Sequence, residues 1–358
     1  MRETVIVKRN ELTTTELRSE PAPALSPGAA LLRIEAFAVT ANNVTYAVIG
    51  DAFGYWNFFP APDGWGIVPM WGHAVVEASE HPGIAVGERV YGYLPMASHL
   101  WVEPGNISKG SFSDMVAHRQ PMSPIYNQYR RLAGDPAHDP AREAQRMIFQ
   151  PLFGTSFLIE AMFAKENWFG ADTLVMTSAS SKTALALAHV ARAKAPQVCR
   201  IGLTSAGNVP FVTRSVLYDE VLTYEEIGKL AGRNAVSVDF AGNSGVLRAI
   251  HEALGDGLKY SCLVGATHVD ARGQGGASPL PGPTPILFFA PDHMNAAVKE
   301  MGLDAFTASY NGAWREFLAS TDGFMMVDER QGLAEAQAAF VETLKGSTAP
   351  DRGIVIRL

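Results

Sequence analysis

Eight residues, Thr177-Ser178-Ala179-Ser180-Ser181-Lys182-Thr183-Ala184, join a short apolar run to an alanine-rich one, and most are small. Small residues at a strand-to-helix junction let the backbone approach the pyrophosphate of a dinucleotide, whose charge is met by amides at the helix N-terminus. Ser178, Ser181 and Ala184 stand at the three places such a site commonly gives to glycine. A serine-rich helix cap is the alternative on this segment alone. Lys182-Thr183 also matches the end of a phosphate loop for nucleoside triphosphates, but the glycines that such a loop needs are missing. The next strand-like segment ends as Ile201-Gly202-Leu203-Thr204-Ser205-Ala206-Gly207-Asn208, without an acid. A site preferring NAD places Asp or Glu there to hold the ribose 2′-hydroxyl. Thr204, Ser205 and Asn208 offer neutral donors instead, with Lys182 and Arg214 as nearby cations. That set suits an adenosine 2′-phosphate, which a carboxylate would repel; an ordinary polar turn is the alternative. The expected cofactor is NADP, held by Ser178, Ser180, Ser181, Lys182, Thr183, Thr204, Ser205 and Asn208.

A second group of chemically able residues lies earlier. The polar segment Thr40-Ala41-Asn42-Asn43-Val44-Thr45-Tyr46, expected to be a loop, leads into Phe53, Tyr55, Trp56, Phe58 and Phe59. These aromatics read either as the wall of a flat aromatic pocket or as a plug sealing a barrel. A phenol with a pKa of about 10 stays protonated at neutral pH and can donate a proton or a hydrogen bond. Metal chemistry has less support. Cys199 and Cys262 are the chain's two cysteines and neither sits in a metal-type cluster, while Gly72-His73-Ala74 supplies one histidine, which cannot hold a tetrahedral zinc.

The elements that position these groups change style along the chain. A length of 358 residues suits two domains, and 47% hydrophobic with 18% charged residues describes a folded protein. A net charge of −7 gives no basic face for nucleic acid. The N-terminus lacks the pattern of a secretory signal, and no uninterrupted apolar run reaches the roughly 20 residues of a membrane helix. A cytoplasmic protein without membrane partners is expected. The first half reads as strands and turns, at Ala29–Val39, Ala74–Ala78 and Gly87–Tyr93, punctuated by glycine and proline as in a barrel-like domain. A stretch from Arg119 to Arg146 has little periodicity and reads as a long ordered loop or a short helical insertion. From about Met147 the style alternates. Helices are expected at Phe153–Phe163, Thr183–Ala191, Gly245–Ala253 and His293–Glu300. Strands are expected at Thr173–Thr177, Cys199–Leu203, Ala235–Phe240, Tyr260–Val264 and Pro285–Phe289. Such alternation implies a parallel sheet with helices on both faces. A helix at Leu333–Leu344 and a strand at Gly353–Leu358 close the chain.

In the order and spacing of Leu31–Val39, Val68–Ala78, Gly87–Tyr93, Gly110–Val116, the Gly154-Thr155 helix, Thr177–Ala184 and the terminal strand, the chain resembles the medium-chain dehydrogenase/reductase superfamily. The resemblance is to the zinc-free quinone oxidoreductase and enoyl reductase branch, and the serine-rich loop marks a poorly characterised subgroup. The resemblance implies an α/β fold, a Rossmann doubly wound parallel sheet inserted in a GroES-like β-rich domain. The domains would be 1–153 plus 295–358, and 154–294. It places cofactor contacts at Asn42, Asn43 and Thr155, and at Val264, Gly265, Phe288 and Phe289 on the ligand-binding sheet edge. Thr40 and a residue near Pro151 take the places of zinc-binding cysteines, leaving His73 as a wall residue. In related enoyl reductases a tyrosine on the connection after the first core strand faces the cofactor; Tyr55 is the expected proton donor, with Tyr46 second. The implied activity is NADPH-dependent, zinc-independent hydride transfer to an activated C=C or a quinone. Its partner is a small-molecule carbonyl, enone or quinone, with a homodimer left open. The alternative is an NADPH-binding sensor or scaffold with little catalysis.

Overall fold

In the computed structural model, which describes residues 1–22, 24–264 and 279–358, the chain forms two units, Met1–Ile148 with Met326–Leu358, and Phe149–Met325. The first unit opens with an antiparallel hairpin of β1 (Arg2–Lys8) and β2 (Thr15–Glu20), and Val5, Ile6 and Val7 of β1 are buried. Strand β3 (Ala30–Val39) buries Ala30, Leu32, Ile34 and Ala36 at every second position, as a strand with one face on the core must. It leads into helix α1 (Ala41–Val48). Next come β4 (Trp65–Gly66), β5 (Pro69–Ser79), β6 (Arg89–Pro95), β7 (His99–Val102), β8 (Pro104–Gly105), β9 (Ser111–Asp114) and β10 (Gln128–Arg131).

The stretch expected to be irregular contains three-residue helical turns, strand β10 and then the start of α2 (Glu143–Lys165). Its regular content is small because side chains, not periodicity, hold it. Arg119, 1% exposed, donates to Asn127 Oδ1, Asp114 Oδ2 and the Tyr129 hydroxyl, each at 3.0 Å, and to the Tyr126 carbonyl at 2.6 Å.

Helix α2 is longer than the expected Phe153–Phe163 and contains Pro151. It is long and apolar enough to cross a membrane by composition, yet Phe149, Phe153, Ile159 and Phe163 are fully buried in protein. That makes it a core helix.

In the second unit β11 (Thr173–Met176), α3 (Lys182–Lys194), β12 (Cys199–Thr204), α4 (Val209–Arg214), β13 (Glu220–Thr223), β14 (Ala235–Asp239), α5 (Ser244–Leu254), β15 (Leu258–Leu263) and β16 (Ile286–Leu287) follow one another. The six strands are parallel, in the order β13-β12-β11-β14-β15-β16. Counted along the chain this is 3-2-1-4-5-6, the order of a dinucleotide-binding sheet, whose ligand crevice opens beyond the strand ends where the order reverses. That point lies between β11 and β14.

Helices α6 (Ala290–Met301) and α7 (Leu303–Ser320) complete the unit. The chain leaves this unit at Met326 rather than at 295, because α7 packs within it. Phe153 meets Trp314 at 5.1 Å and Phe317 at 5.4 Å, and Phe157 meets Phe306 at 5.9 Å. Burying one phenylalanine contributes roughly 1.5–3 kcal/mol, enough for this aromatic group to decide where α7 belongs. Finally β17 (Met326–Gln331), α8 (Leu333–Leu344) and β18 (Arg352–Arg357) return to the first unit. There β18 pairs with β3 in a sheet ordered β17-β18-β3-β5-β6-β10-β9-β8, with β7 also on β3.

Candidate functional site

In the second unit the expected nucleotide loop leaves the end of β11 beside β12 and β14. Thr177, buried, donates to Asp239 Oδ1 at 2.5 Å, and its oxygen accepts from the amides of Phe240 and Ala241 at 2.8 and 3.0 Å. This fastens the ends of β11 and β14 at the reversal point. Ser178 then turns with φ of +47°, a left-handed conformation that favours glycine. The loop therefore keeps a glycine-like backbone at the first expected glycine place while carrying a serine.

Two tyrosines hold it so. Ser178 N–H donates to the Tyr224 hydroxyl at 3.1 Å, and the Tyr218 hydroxyl donates to the Ala179 carbonyl at 2.8 Å. Ala179 N–H donates to Leu203 O at 3.0 Å. At Gly202 a Cβ would lie 2.8 Å from the Tyr218 ring and 2.9 Å from the Ala179 Cβ, so only glycine lets the loop, β12 and Tyr218 pack this closely.

Ser181 caps α3, its hydroxyl accepting from Ala184 N–H at 3.2 Å. The first-turn amides of Lys182 and Thr183 have no intrahelical carbonyl to bond, the usual condition for anion binding at a helix start. The Thr183 carbonyl is tied to α2 by Ser156 Oγ at 2.8 Å, whereas the neighbouring Thr155 is half-buried. Asn208 donates to Ser180 Oγ at 3.1 Å, joining the two expected halves of the cofactor site. Thr204 ends β12 and is buried, Ser205 is exposed, and Arg214 at the end of α4 is exposed with its guanidinium 5.9 Å from the Phe211 ring. The nearby acids Asp219 and Glu220 are engaged, by Arg200 at 2.7 Å and by Arg233 at 2.6 Å. Farther along the sheet, Val264 N–H donates to Asp239 O at 3.0 Å. Phe288 stacks on His293 at 4.3 Å, and Phe289 is exposed. Gly265 lies outside the described residues.

In the first unit the polar stretch after β3 is helical rather than a loop. Asn43 explains why, since its side-chain oxygen accepts from Thr40 N–H at 2.7 Å and Thr40 Oγ1 at 3.0 Å, capping α1. Its Nδ2 donates to Pro69 O at 2.8 Å and it is 2% exposed. Asn43 therefore holds the helix start instead of presenting an amide to a ligand. Asn42 donates to the Tyr46 hydroxyl at 2.7 Å, and Trp71 Nε1 to the same oxygen at 3.1 Å.

Tyr46 and Tyr55 lie with ring centroids 4.6 Å apart, so the two expected donors belong to one cluster. Tyr126 joins them, its hydroxyl 3.2 Å from that of Tyr55, and Tyr93 packs on Tyr126 at 4.7 Å. Burial raises all four phenols above their ordinary range, opposed at Tyr46 by the bonds from Trp71 and Asn42 and at Tyr55 by the bond from Tyr126. They are protonated at any physiological pH, as proton donors must be. Tyr126 and Tyr93 escaped the sequence reading because they come from the aperiodic stretch and from an interior strand, without a local signal of function.

His73 is 1% exposed and its ring nitrogens make no hydrogen bond among the described residues. Its Nδ1 lies 3.9 Å from Glu143, which Arg89 holds with bonds of 2.7 and 2.9 Å and His138 with one of 2.8 Å. Burial pushes His73 down to about 3, against the pull of Glu143. Burial alone would raise the Glu143 carboxyl, but its bonds from Arg89 and His138 hold it at about 2. The residues at the zinc-ligand places do not fit a metal. Thr40 is engaged with Asn43, Pro151 has no donor side chain, and among the described residues no three His, Cys, Asp or Glu side chains are grouped to hold an ion.

The fold is that of medium-chain dehydrogenases/reductases. CurA from Vibrio vulnificus in complex with NADPH is 16% identical, with a TM-score of 0.60 over 100% of this chain and 99% of that one. A mutant form of enoyl thioester reductase from Candida tropicalis is 12% identical, with a TM-score of 0.58 over 100% and 99%. Mycobacterial Rv1454c complexed with NADPH is 16% identical, with a TM-score of 0.55 over 100% of both chains. No curated protein matches the chain in sequence. A family model described as "Protein of unknown function (DUF2855)" matches residues 37–349. With that match over most of its length, the chain belongs to the DUF2855 family and carries it on the medium-chain dehydrogenase/reductase fold.

Proposed function

We propose that this chain is an NADPH-dependent, zinc-independent reductase of activated C=C bonds or quinones. The carrying observation is the left-handed Ser178 turn running into the capped start of α3 at the reversal point of a 3-2-1-4-5-6 sheet. NADPH fits the residues there, and CurA and Rv1454c, which share the fold, are complexed with NADPH. The pyrophosphate takes the α3 first-turn amides, and Ser180, Ser205 and Asn208 take the adenosine end with Lys182 and Arg214 as cations. The absence of an acid from Thr204 to Asn208 supports a 2′-phosphate there.

When bound, the dihydronicotinamide supplies a hydride. What the chain itself adds is a source of protons and hydrogen-bond donors in the Tyr46–Tyr55–Tyr126 cluster. An enone that receives hydride at its β-carbon becomes an enolate, which neutral donors can stabilise and a phenol can protonate. A ketone would become a more basic alkoxide, harder to manage where the described residues group no metal ligand set. The test is NADPH oxidation against a panel of enones and quinones with identification of the reduced product. Saturated ketone or hydroquinone formed mole for mole with NADP⁺ is expected.

One observation favours a second reading, an NADPH sensor with little turnover: the Ser178 amide is already engaged by Tyr224. NADPH binding without oxidation on any member of the panel would select it.

A further inference from the structure

Away from the phenols, the first unit brings a serine, a histidine and a carboxylate into line. Ser98 lies between β6 and β7, and its backbone is fastened on both sides. Its N–H donates to Glu3 O of β1 at 2.8 Å, and its carbonyl accepts from Ile34 N–H of β3 at 2.9 Å. The Ser98 hydroxyl oxygen accepts from Glu3 N–H at 2.9 Å and lies 2.8 Å from His99 Nδ1. Beyond the ring, His99 Nε2 is 3.4 Å from Glu77 Oε2 of β5. A carboxylate can only accept, so it favours the neutral ring with its proton at Nε2 and a lone pair at Nδ1. Glu3 N–H occupies one lone pair of the Ser98 oxygen and leaves the hydroxyl proton for Nδ1.

Ser98, His99, Arg33 and the start of α8 at Gly332 and Leu333 line one cavity of about 220 Å³. Helix α8 starts there on Gly332, whose lack of a side chain leaves the first-turn amides uncapped.

We propose that this cavity is a second catalytic site, at which Ser98 attacks small carboxylic esters with His99 as general base and Glu77 as its positioning residue. It is independent of the nucleotide reading, since every residue lies in the first unit. In the first step Ser98 Oγ bonds to the acyl carbon, its proton passes to His99 Nδ1, and the carbonyl electron pair moves onto oxygen. Arg33 and the first-turn amides of α8 are the donors available to that oxyanion. As the carbonyl re-forms, the bond to the alcohol oxygen breaks and the alcohol leaves with the proton from His99. Water then attacks the acyl-serine through the same base, and the carboxylic acid leaves as Ser98 regains its proton. The two ring nitrogens exchange the roles they have in serine proteases, where Nε2 is the base. Esters are the class because an alcohol leaves more readily than an amine and asks less of the acid. The acyl part must be short, because the cavity is smaller than the roughly 300 Å³ at which pockets for drug-sized ligands begin.

The experiment treats the purified chain with a small fluorophosphonate, which phosphonylates an activated serine with loss of fluoride, and maps the adduct by mass spectrometry. One adduct per chain, on Ser98, is expected. Hydrolysis of p-nitrophenyl acetate should fall about 10-fold or more in Ser98→Ala and in His99→Gln, with far-UV circular dichroism unchanged. Nitrogen NMR of the labelled imidazole should find the neutral His99 ring protonated at Nε2 in the wild type. In Glu77→Gln the proton should shift toward Nδ1, with ester turnover reduced. The labelling needs no variant, so it decides even where a substitution unfolds the chain. No adduct on Ser98, or equal turnover in the wild type, Ser98→Ala and His99→Gln, overturns the site. A wild-type neutral ring protonated at Nδ1 overturns the assignment of His99 as the base.

Discussion

Ser178 carries a side chain at φ of +47°, where an L-residue other than glycine is held at a cost of about 1–2 kcal/mol. Replacing it with glycine relieves that cost, offset in part by the greater freedom of glycine in the unfolded chain. Ser178→Gly should therefore raise the urea midpoint, by an amount equivalent to roughly 0.5–1 kcal/mol. A lower midpoint would mean that the serine hydroxyl, not the backbone, is what the loop needs. The eight-residue junction was legible as a strand-to-helix turn, although its serines read as a helix cap as readily as a nucleotide loop. Its conformation was not, because the serine that replaces glycine hides the left-handed turn, and Tyr218 and Tyr224 come from beyond the next strand. Tyr55 belongs to the same scale. Tyr55→Phe should cost on the order of 100-fold in turnover while leaving NADPH affinity nearly intact. Full turnover would return the aromatic group to a structural role.

The stretch between β9 and α2 is the element on which the phenol cluster depends, and Arg119 is its anchor. The ion pair with Asp114 is almost wholly buried, the two side chains being 1% and 0% exposed. Arg119→Leu strands the Asp114 carboxylate and the Tyr126 carbonyl, and should destabilise the protein by about 3–5 kcal/mol, read from urea unfolding. A change within ~0.5 kcal/mol would contradict the anchoring. Sequence periodicity could not reveal this element. Asp114, Arg119, Asn127 and Tyr129 follow no helical or strand repeat and are related only by where their side chains meet.

The strands behaved differently: β3, β5, β6 and the buried runs of β11, β12, β14 and β15 were legible from their apolar pattern, whereas β13, short and half-exposed, was not. Between β5 and the start of α2, His73 and Glu143 link stability to pH. The folded state keeps His73 neutral down to about 3, while the unfolded histidine takes a proton near 6.5. Stability is thus full above 6.5 and falls as pH drops toward 3. Glu143, held at about 2 against an ordinary 4.5, adds a loss as pH falls from 4.5 toward 2. His73→Phe should flatten the slope of stability between pH 6.5 and 4.5 by close to one proton. An unchanged slope there would place the linkage elsewhere.

At the scale of the whole molecule, alternation of style along the chain foretold a parallel sheet after a β-rich first half, the resemblance implied its insertion, and the fold is that one. The return point was less legible. Phe306, Tyr310, Trp314 and Phe317 recur at helical spacing but do not say which unit they join, and α7 is claimed by the aromatic residues of α2, far earlier in sequence. A 2′-phosphate assignment follows from the Thr204–Asn208 segment, so Ser205→Asp should weaken NADPH and favour NADH, reversing the ratio of their dissociation constants. The most direct test of the central assignment is calorimetric titration of the purified wild-type protein with NADPH and with NADH. One NADPH per chain is expected, bound at least about 10-fold, or ~1.4 kcal/mol, more tightly than NADH. Equal or tighter NADH, or no heat of binding with either nucleotide, would contradict it.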